Sequence, residues 1–222
     1  MIYEKKIFCG LEYLVAYPNK YDSEKKYPLI FHFHGAGTRY TSFDQLKTCL
    51  IFPTIDELEL DFIVVAPLCC RETWFDYFET LTGLVEEITT HKNADPDRFY
   101  VMGASMGGYA TWQLAMSIPE YFAAIIPICG GGMYWDTMRL TEMGVWAFHG
   151  ALDITVRPEE SQKMVDGINK RGGNAKLTIY PDREHDSWTP TYSNPEVYEW
   201  LLSHKKKDKV VSEDYGNQKA FG

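Results

Sequence analysis

Arg98-Phe99-Tyr100-Val101-Met102-Gly103-Ala104-Ser105-Met106-Gly107-Gly108 is a β-branched and aromatic run that leads directly into Gly-x-Ser-x-Gly. The run reads as a buried strand. A serine on a sharp strand-to-helix turn has its hydroxyl pushed out above the sheet edge, where a nearby base makes it a nucleophile. Gly103 and Gly107 suit a turn that brings backbone segments too close together for side chains. Ala110, Trp112, Leu114, Ala115 and Met116 then have a composition suited to a helix. Ser117-Ile118-Pro119 ends it, because the residue before a proline avoids helical angles. The N-terminus of that helix offers partial positive charge to an anion forming beside the serine.

Outward from this stretch, the same alternation continues. Tyr13, Val15 and Tyr17 alternate along an early strand, with Ile7-Phe8 as its hairpin partner. Tyr27-Pro28-Leu29-Ile30-Phe31-His32-Phe33 runs apolar into His34-Gly35-Ala36-Gly37, and Phe62-Ile63-Val64-Val65-Ala66-Pro67 is a second such run. Continuous apolar runs fit strands covered on both faces. Phe78, Leu81, Leu84, Val85 and Ile88 recur at helical spacing, and Asp95-Pro96-Asp97 reads as a turn. Ala124-Ile125-Ile126-Pro127-Ile128 and Val145-Trp146-Ala147-Phe148 are further strands. Pro158 opens a helix that Gly172-Gly173 ends, Leu177-Thr178-Ile179-Tyr180 is the last strand, and Asn194-Pro195-Glu196 caps a last helix through Leu202. Strands alternating with helices predict an α/β fold with a mainly parallel sheet and helices on both faces, which binds ligands beyond the carboxyl ends of its strands.

The length of 222 residues suits one domain, read as 1–204, followed by a polar tail over 205–222 that is either loose or docked on a neighbouring subunit. Net charge is −9, and no basic patch with interleaved aromatics occurs, which argues against a nucleic-acid partner. Neither a signal peptide nor a stretch able to span a bilayer is visible, so no membrane partner is expected. The five cysteines include no Cys-x-x-Cys and read as free thiols of a reducing cytoplasm.

A serine nucleophile needs a base, a group to orient that base, and donors for the developing oxyanion. Among the six histidines, His185 follows the last strand in the loop Asp182-Arg183-Glu184-His185-Asp186-Ser187-Trp188, where it can reach over the serine. His32 and His149 sit in strand sequences and read as satisfied core histidines. His91 and His204 read as helix-surface residues. The acid is assigned to Asp153, in His149-Gly150-Ala151-Leu152-Asp153 after another strand, with Asp136, Asp182 and Asp186 as rivals. The order Ser105, Asp153, His185 is that of an α/β-hydrolase. The oxyanion donors are assigned to the amides of Met106 and Ala36, with Gly37 next. His32-x-His34 could be a metal pair, but no matching carboxylate–histidine set follows it, so no metal is expected. Trp74, Trp135 and Trp188 are candidate substrate-binding residues. Phe75, Met133 and Tyr134 fall in loops at the same edge.

These segments, with Ala66-Pro67-Leu68-Cys69-Cys70, Thr73-Trp74, Pro127-Ile128-Cys129-Gly130-Gly131 and Glu184-His185-Asp186-Ser187-Trp188, resemble the compact bacterial α/β-hydrolases. More narrowly, they resemble the esterases and "predicted peptidases" related to polyhydroxybutyrate depolymerases and feruloyl or acetyl-xylan esterases. The resemblance spans roughly 28–202. It departs from the family at Pro67-Leu68-Cys69-Cys70, where a Pro-Gln-Cys-Pro-type segment is usual. It implies serine-dependent hydrolysis of carboxylic esters with no metal or organic cofactor. The length leaves no room for a large cap domain, and the aromatic residues at the active edge suit a small aryl or sugar-linked ester. A peptidase on short peptides and a catalytically silent binding protein on the same fold are the alternatives, and a homo-oligomer is left open.

Overall fold

In chain order the elements are strands β1 (Ile2–Phe8), β2 (Leu11–Tyr17) and β3 (Tyr27–Phe33), helices α1 (Phe43–Leu46) and α2 (Ile51–Glu57), β4 (Ile63–Pro67), α3 (Phe78–Thr89), β5 (Ala94–Ala104), α4 (Met106–Ser117), β6 (Ala124–Ile128), β7 (Gly144–Gly150), α5 (Glu159–Asn169), β8 (Lys176–Tyr180), α6 (Trp188–Tyr192) and α7 (Pro195–Leu202). They come from a computed structural model that describes residues 1–206. The eight strands form one sheet in the order β1-β2-β4-β3-β5-β6-β7-β8. β1 and β2 form an antiparallel hairpin, and β2 runs antiparallel to β4. From β4 to β8 all neighbours are parallel. The hairpin closes through Cys9 and Gly10, both at positive φ, the twist that a two-residue turn requires.

The apolar strands bury both faces. Leu29, Phe31 and Phe33 of β3, with Phe99 and Val101 of β5, join one core with Trp112 and Leu114 of α4 and Leu84 and Val85 of α3. The intervening Ile30, Tyr100 and Met102 join the other core with Phe52 of α2 and Tyr198 of α7. This is the period-two alternation of a strand, with a different apolar layer on each side.

Local signals end the helices as expected. Asn194 accepts from Glu196 N at 3.0 Å ahead of Pro195. Gly172 takes φ +91°, and Gly173 N donates to Ile168 O at the end of α5. One expected turn differs: Asp95-Pro96-Asp97 lies inside β5. Its pairing with β3 shifts register between Tyr27 and Leu29, and such an irregularity is where a sheet tolerates proline. Of the expected tail, only Lys205 and Lys206 are described, Lys206 N donating to Asp97 O at 2.8 Å; 207–222 lie outside the described residues. Among the described residues, no helix is long and apolar enough to cross a membrane.

Candidate active site

Ser105 links β5 to α4 with φ 57° and ψ −118°, a backbone conformation that a non-glycine residue adopts only when its surroundings enforce it. Its N–H donates to Ile128 O at 2.9 Å, and its carbonyl accepts from Tyr109 N at 3.0 Å. The turn is tight because α4 leaves the strand against the end of β3. A Cβ on Gly107 would overlap the carbonyl of Phe33, and one on Gly103 the carbonyl of Gly107.

The loops after β7 and β8 converge on this serine. Ser105 Oγ lies 2.9 Å from His185 Nε2, and His185 Nδ1 lies 2.7 Å from Asp153 Oδ2. Asp153 is buried, and its Oδ1 accepts from Thr155 N and Val156 N, each at 2.9 Å. Burial by itself would raise the carboxyl's pKa. The hydrogen bonds from His185, Val156 and Thr155 outweigh it and hold the group below the ordinary carboxylate value, so it is ionised at neutral pH. The two loops are tied through backbone. Ala151 N donates to Tyr180 O and Leu152 N to Arg183 O, each at 2.9 Å. Gly150 packs so closely that a Cβ would overlap the carbonyls of Arg183 and Glu184. The rival acids stand elsewhere. Asp186, just ahead of α6, accepts from Thr189 N and Oγ1 in its first turn, Asp182 is exposed, and Asp136 lies in a 3₁₀ turn after β6.

The loop after β3 passes beside the elbow. A Cβ on Gly35 would sit 3.4 Å from Ala104 O and 3.7 Å from Ser105 Cβ. Cys69 N–H approaches His34 Nε2 at 3.0 Å, and an amide can only donate, so Nε2 accepts. The proton is therefore on Nδ1, which donates to Gly35 O at 2.8 Å. Thr38 N donates to the same carbonyl at 3.1 Å. With Gly35 O turned to these donors, the Ala36 N–H faces the opposite way across the trans peptide. Met106 begins α4, so its amide has no carbonyl one turn back to receive it.

Trp74 does not line the cleft. It is 1% exposed, its Nε1 donates to His34 O at 3.0 Å, and its ring packs on Phe33 and His34. The sequence placed it at the carboxyl edge of β4. A buried indole needs a partner for its N–H, and the free carbonyl of the neighbouring loop supplies one. Trp135 is 63% exposed on the 3₁₀ turn after β6, edge-on to Tyr134, and is absent from the cavity wall. Trp188 does line the cavity, its ring edge-on to His185 at 5.4 Å.

The cavity over Ser105 has a volume of about 540 Å³. Ala36, His185 and Trp188 form one part of its wall, with His32 and Tyr192 beside them. Gln45, Thr48, Cys49 and Leu50, from the α1–α2 segment, form another part that the sequence did not announce.

The two histidines of His32-x-His34 serve separate hydrogen-bond networks. His32 Nε2 pairs with Tyr192 Oη at 3.0 Å, and its buried Nδ1 has no partner, so its expected full satisfaction is only half met. Burial drives His32 down to about 3 and His34 down to about 4. Cys129, Asp153 and His185 also offer ligand atoms within 4.8 Å of one another. The carboxylate and His185 Nδ1 already bond each other, and burial pushes the Cys129 thiol up to about 12, so it keeps its proton. That donor set favours hydrogen bonding over metal ligation.

The sequence profile of the prolyl oligopeptidase family matches residues 76–147, a span that holds Ser105 but neither Asp153 nor His185. Dipeptidyl-peptidase 5 of Porphyromonas gingivalis is 24% identical over 223 residues, covering 77% of this chain and 32% of that protein. The chain spans about a third of the length of the curated relatives it matches. Among solved structures, a thermostable esterase superposes with a TM-score of 0.79 and 30% identity over 92% of this chain and 63% of its own. The feruloyl esterase module from Clostridium thermocellum, complexed with sinapinate, superposes with a TM-score of 0.70 and 18% identity, over 91% of this chain and 87% of that module. The fold is that of the α/β-hydrolases.

Proposed function

We propose that this chain is a serine hydrolase that cleaves carboxylic esters through an acyl-enzyme. The observation that carries the reading is the continuous line from Ser105 Oγ through His185 to the buried Asp153, at 2.9 and 2.7 Å. His185 Nε2 takes the serine proton as Oγ attacks the ester carbonyl. The ionised Asp153 holds Nδ1–H, which keeps Nε2 as the accepting atom and stabilises the imidazolium as it forms. The amides of Met106 and Ala36 donate to the oxyanion, aided by the N-terminus of α4. His185 then protonates the departing alcohol. Water attacks the acyl-enzyme with the same histidine as base, and Ser105 is regenerated.

The 540 Å³ cavity, with the Trp188 indole beside the base, supports an aryl or sugar-linked ester. The five cysteines are all unpaired, which supports a reducing cytoplasm as its setting. A second reading, cleavage of short peptides by the same mechanism, is favoured by the profile match and by the dipeptidyl-peptidase relative. The test is a paired one. A fluorophosphonate should label the protein at Ser105, and an aryl ester should turn over far faster than the matching anilide. Labelling elsewhere would remove the nucleophile assignment, and faster anilide cleavage would favour the peptidase.

A further inference from the structure

His149 is the last residue before Gly150 on β7, and its side chain is fully buried. Its Nε2 lies 2.9 Å from Val156 O. A carbonyl can only accept, so Nε2 carries the proton. The same Nε2 lies 3.3 Å from Asp153 Oδ2, the oxygen that receives His185. On the ring's other edge the unprotonated Nδ1 accepts from Ser161 Oγ in α5 at 2.7 Å, and the single proton of that hydroxyl is shared with Gly130 O, 3.0 Å away beyond β6. One imidazole thus touches the carboxylate, the far end of the loop that carries it, and the helix behind that loop.

We propose that His149 is a positioning residue for Asp153, holding Val156 by its carbonyl through Nε2–H and sharing that N–H with the carboxylate oxygen 3.3 Å away. The inference rests on the acyl-enzyme reading above. The route through Val156 has a clear path. Val156 N is one of the two backbone donors on Asp153 Oδ1, and His149 holds Val156 by its carbonyl. Burial keeps the His149 ring neutral, lowering its pKa from the ordinary histidine value. A neutral ring supplies an N–H edge without a full positive charge that would compete with His185 for the same oxygen. Two imidazoles therefore meet one carboxylate oxygen in different roles: His185 exchanges protons with Ser105, and His149 stays fixed.

The experiment measures kcat and KM on an acetyl ester, together with the rate of fluorophosphonate labelling of Ser105. His149→Leu should lower kcat and labelling about 10- to 100-fold and leave KM within about threefold, as expected for a displaced catalytic group. His149→Gln, whose amide nitrogen can reach the position of the imidazole Nε2, should recover most of that loss. In an Asp153→Asn background, His149→Leu should cost less than about threefold more, because residues acting as one unit are not additive. Wild-type kcat in His149→Leu would overturn the proposal. So would a Gln variant as slow as the Leu variant, or full multiplication of the two losses. If His149→Leu does not fold, Ser161→Ala takes its place. It frees the Nδ1 edge and should cost about 3- to 10-fold with Asp153 present and nothing measurable in the Asp153→Asn background. Equal losses in both backgrounds would overturn the proposal. Undiminished labelling in Asp153→Asn alone would instead overturn the triad reading on which it rests.

Discussion

Ser105 stands between two flanks held by different means. On the β7–β8 flank, the loops bearing Asp153 and His185 are joined main chain to main chain. Ala151 and Leu152 donate across to Tyr180 and Arg183, and Gly150 lies flush against the histidine loop. On the β3–β4 flank, one backbone bond, Tyr40 N to Cys69 O at 3.0 Å, joins the two loops, and side chains hold the segment nearest Ala36: the His34 imidazole on Cys69 N and Gly35 O, and the Trp74 indole on His34 O. Apart from the His149 side chain behind Asp153, a flank joined by backbone is vulnerable chiefly where it permits no side chain at all, as at Gly150. A flank held by side chains is open to single substitutions that leave the chain trace intact. The first should fail abruptly, and the second by degrees.

Four substitutions sharpen or break that comparison. Ser105→Ala removes the group both flanks serve. Turnover should fall on the order of 10⁴-fold or more with an unchanged melting temperature, and a folded variant with wild-type turnover would make the comparison irrelevant to catalysis. Gly150→Ala comes next. Its methyl group must displace the carbonyls of Arg183 and Glu184, which moves His185, so kcat should drop by about 10²-fold. Full activity in this variant would show that the main-chain junction yields easily. Trp74→Phe keeps an aromatic ring but leaves His34 O without its indole donor. Stability should fall by about 1–3 kcal/mol and kcat by about tenfold, with KM unchanged. A change in KM alone would return Trp74 to the substrate. Trp188→Ala should have the smallest effect, about fivefold in kcat/KM for an aryl ester and less for a simple acetyl ester. Equal losses on both esters would make Trp188 a loop-packing residue.

The same division explains what could be read from the residues alone. The strand and glycines around Ser105 are a local pattern, and Asp153 and His185 each follow a recognisable strand at the same edge. Chain order and edge were enough to bring the three together. Trp74 has the same kind of local context, yet its indole turns inward to a carbonyl forty residues away in sequence. Nothing local encodes that pairing. The α1–α2 wall of the cavity was also hidden. Its helices are four and seven residues long, Pro53 falls in the first turn of the second, and neither is long enough to show a helical period. His149 reads as a buried strand histidine, and it is one. Its approach to Asp153 depends on the curl of the loop after β7, which residue spacing does not reveal.

The buried histidines at the end of β3 make the protein's stability depend on the proton concentration. Free imidazoles bind protons below about pH 6.5, whereas His34 in the fold resists protonation until about pH 4 and His32 until about pH 3. Over that interval the unfolded chain takes up protons that the folded chain refuses. Unfolding is therefore increasingly favoured as pH falls from 6.5 towards 4, and this contribution is absent above the upper value. The melting temperature should decline across that window, and His34→Gln should make the decline shallower. A melting temperature independent of pH between 7 and 4.5 would mean that these rings accept protons without leaving the sheet. With the decline, acid acts on the loop at Ala36 through the histidine that holds it.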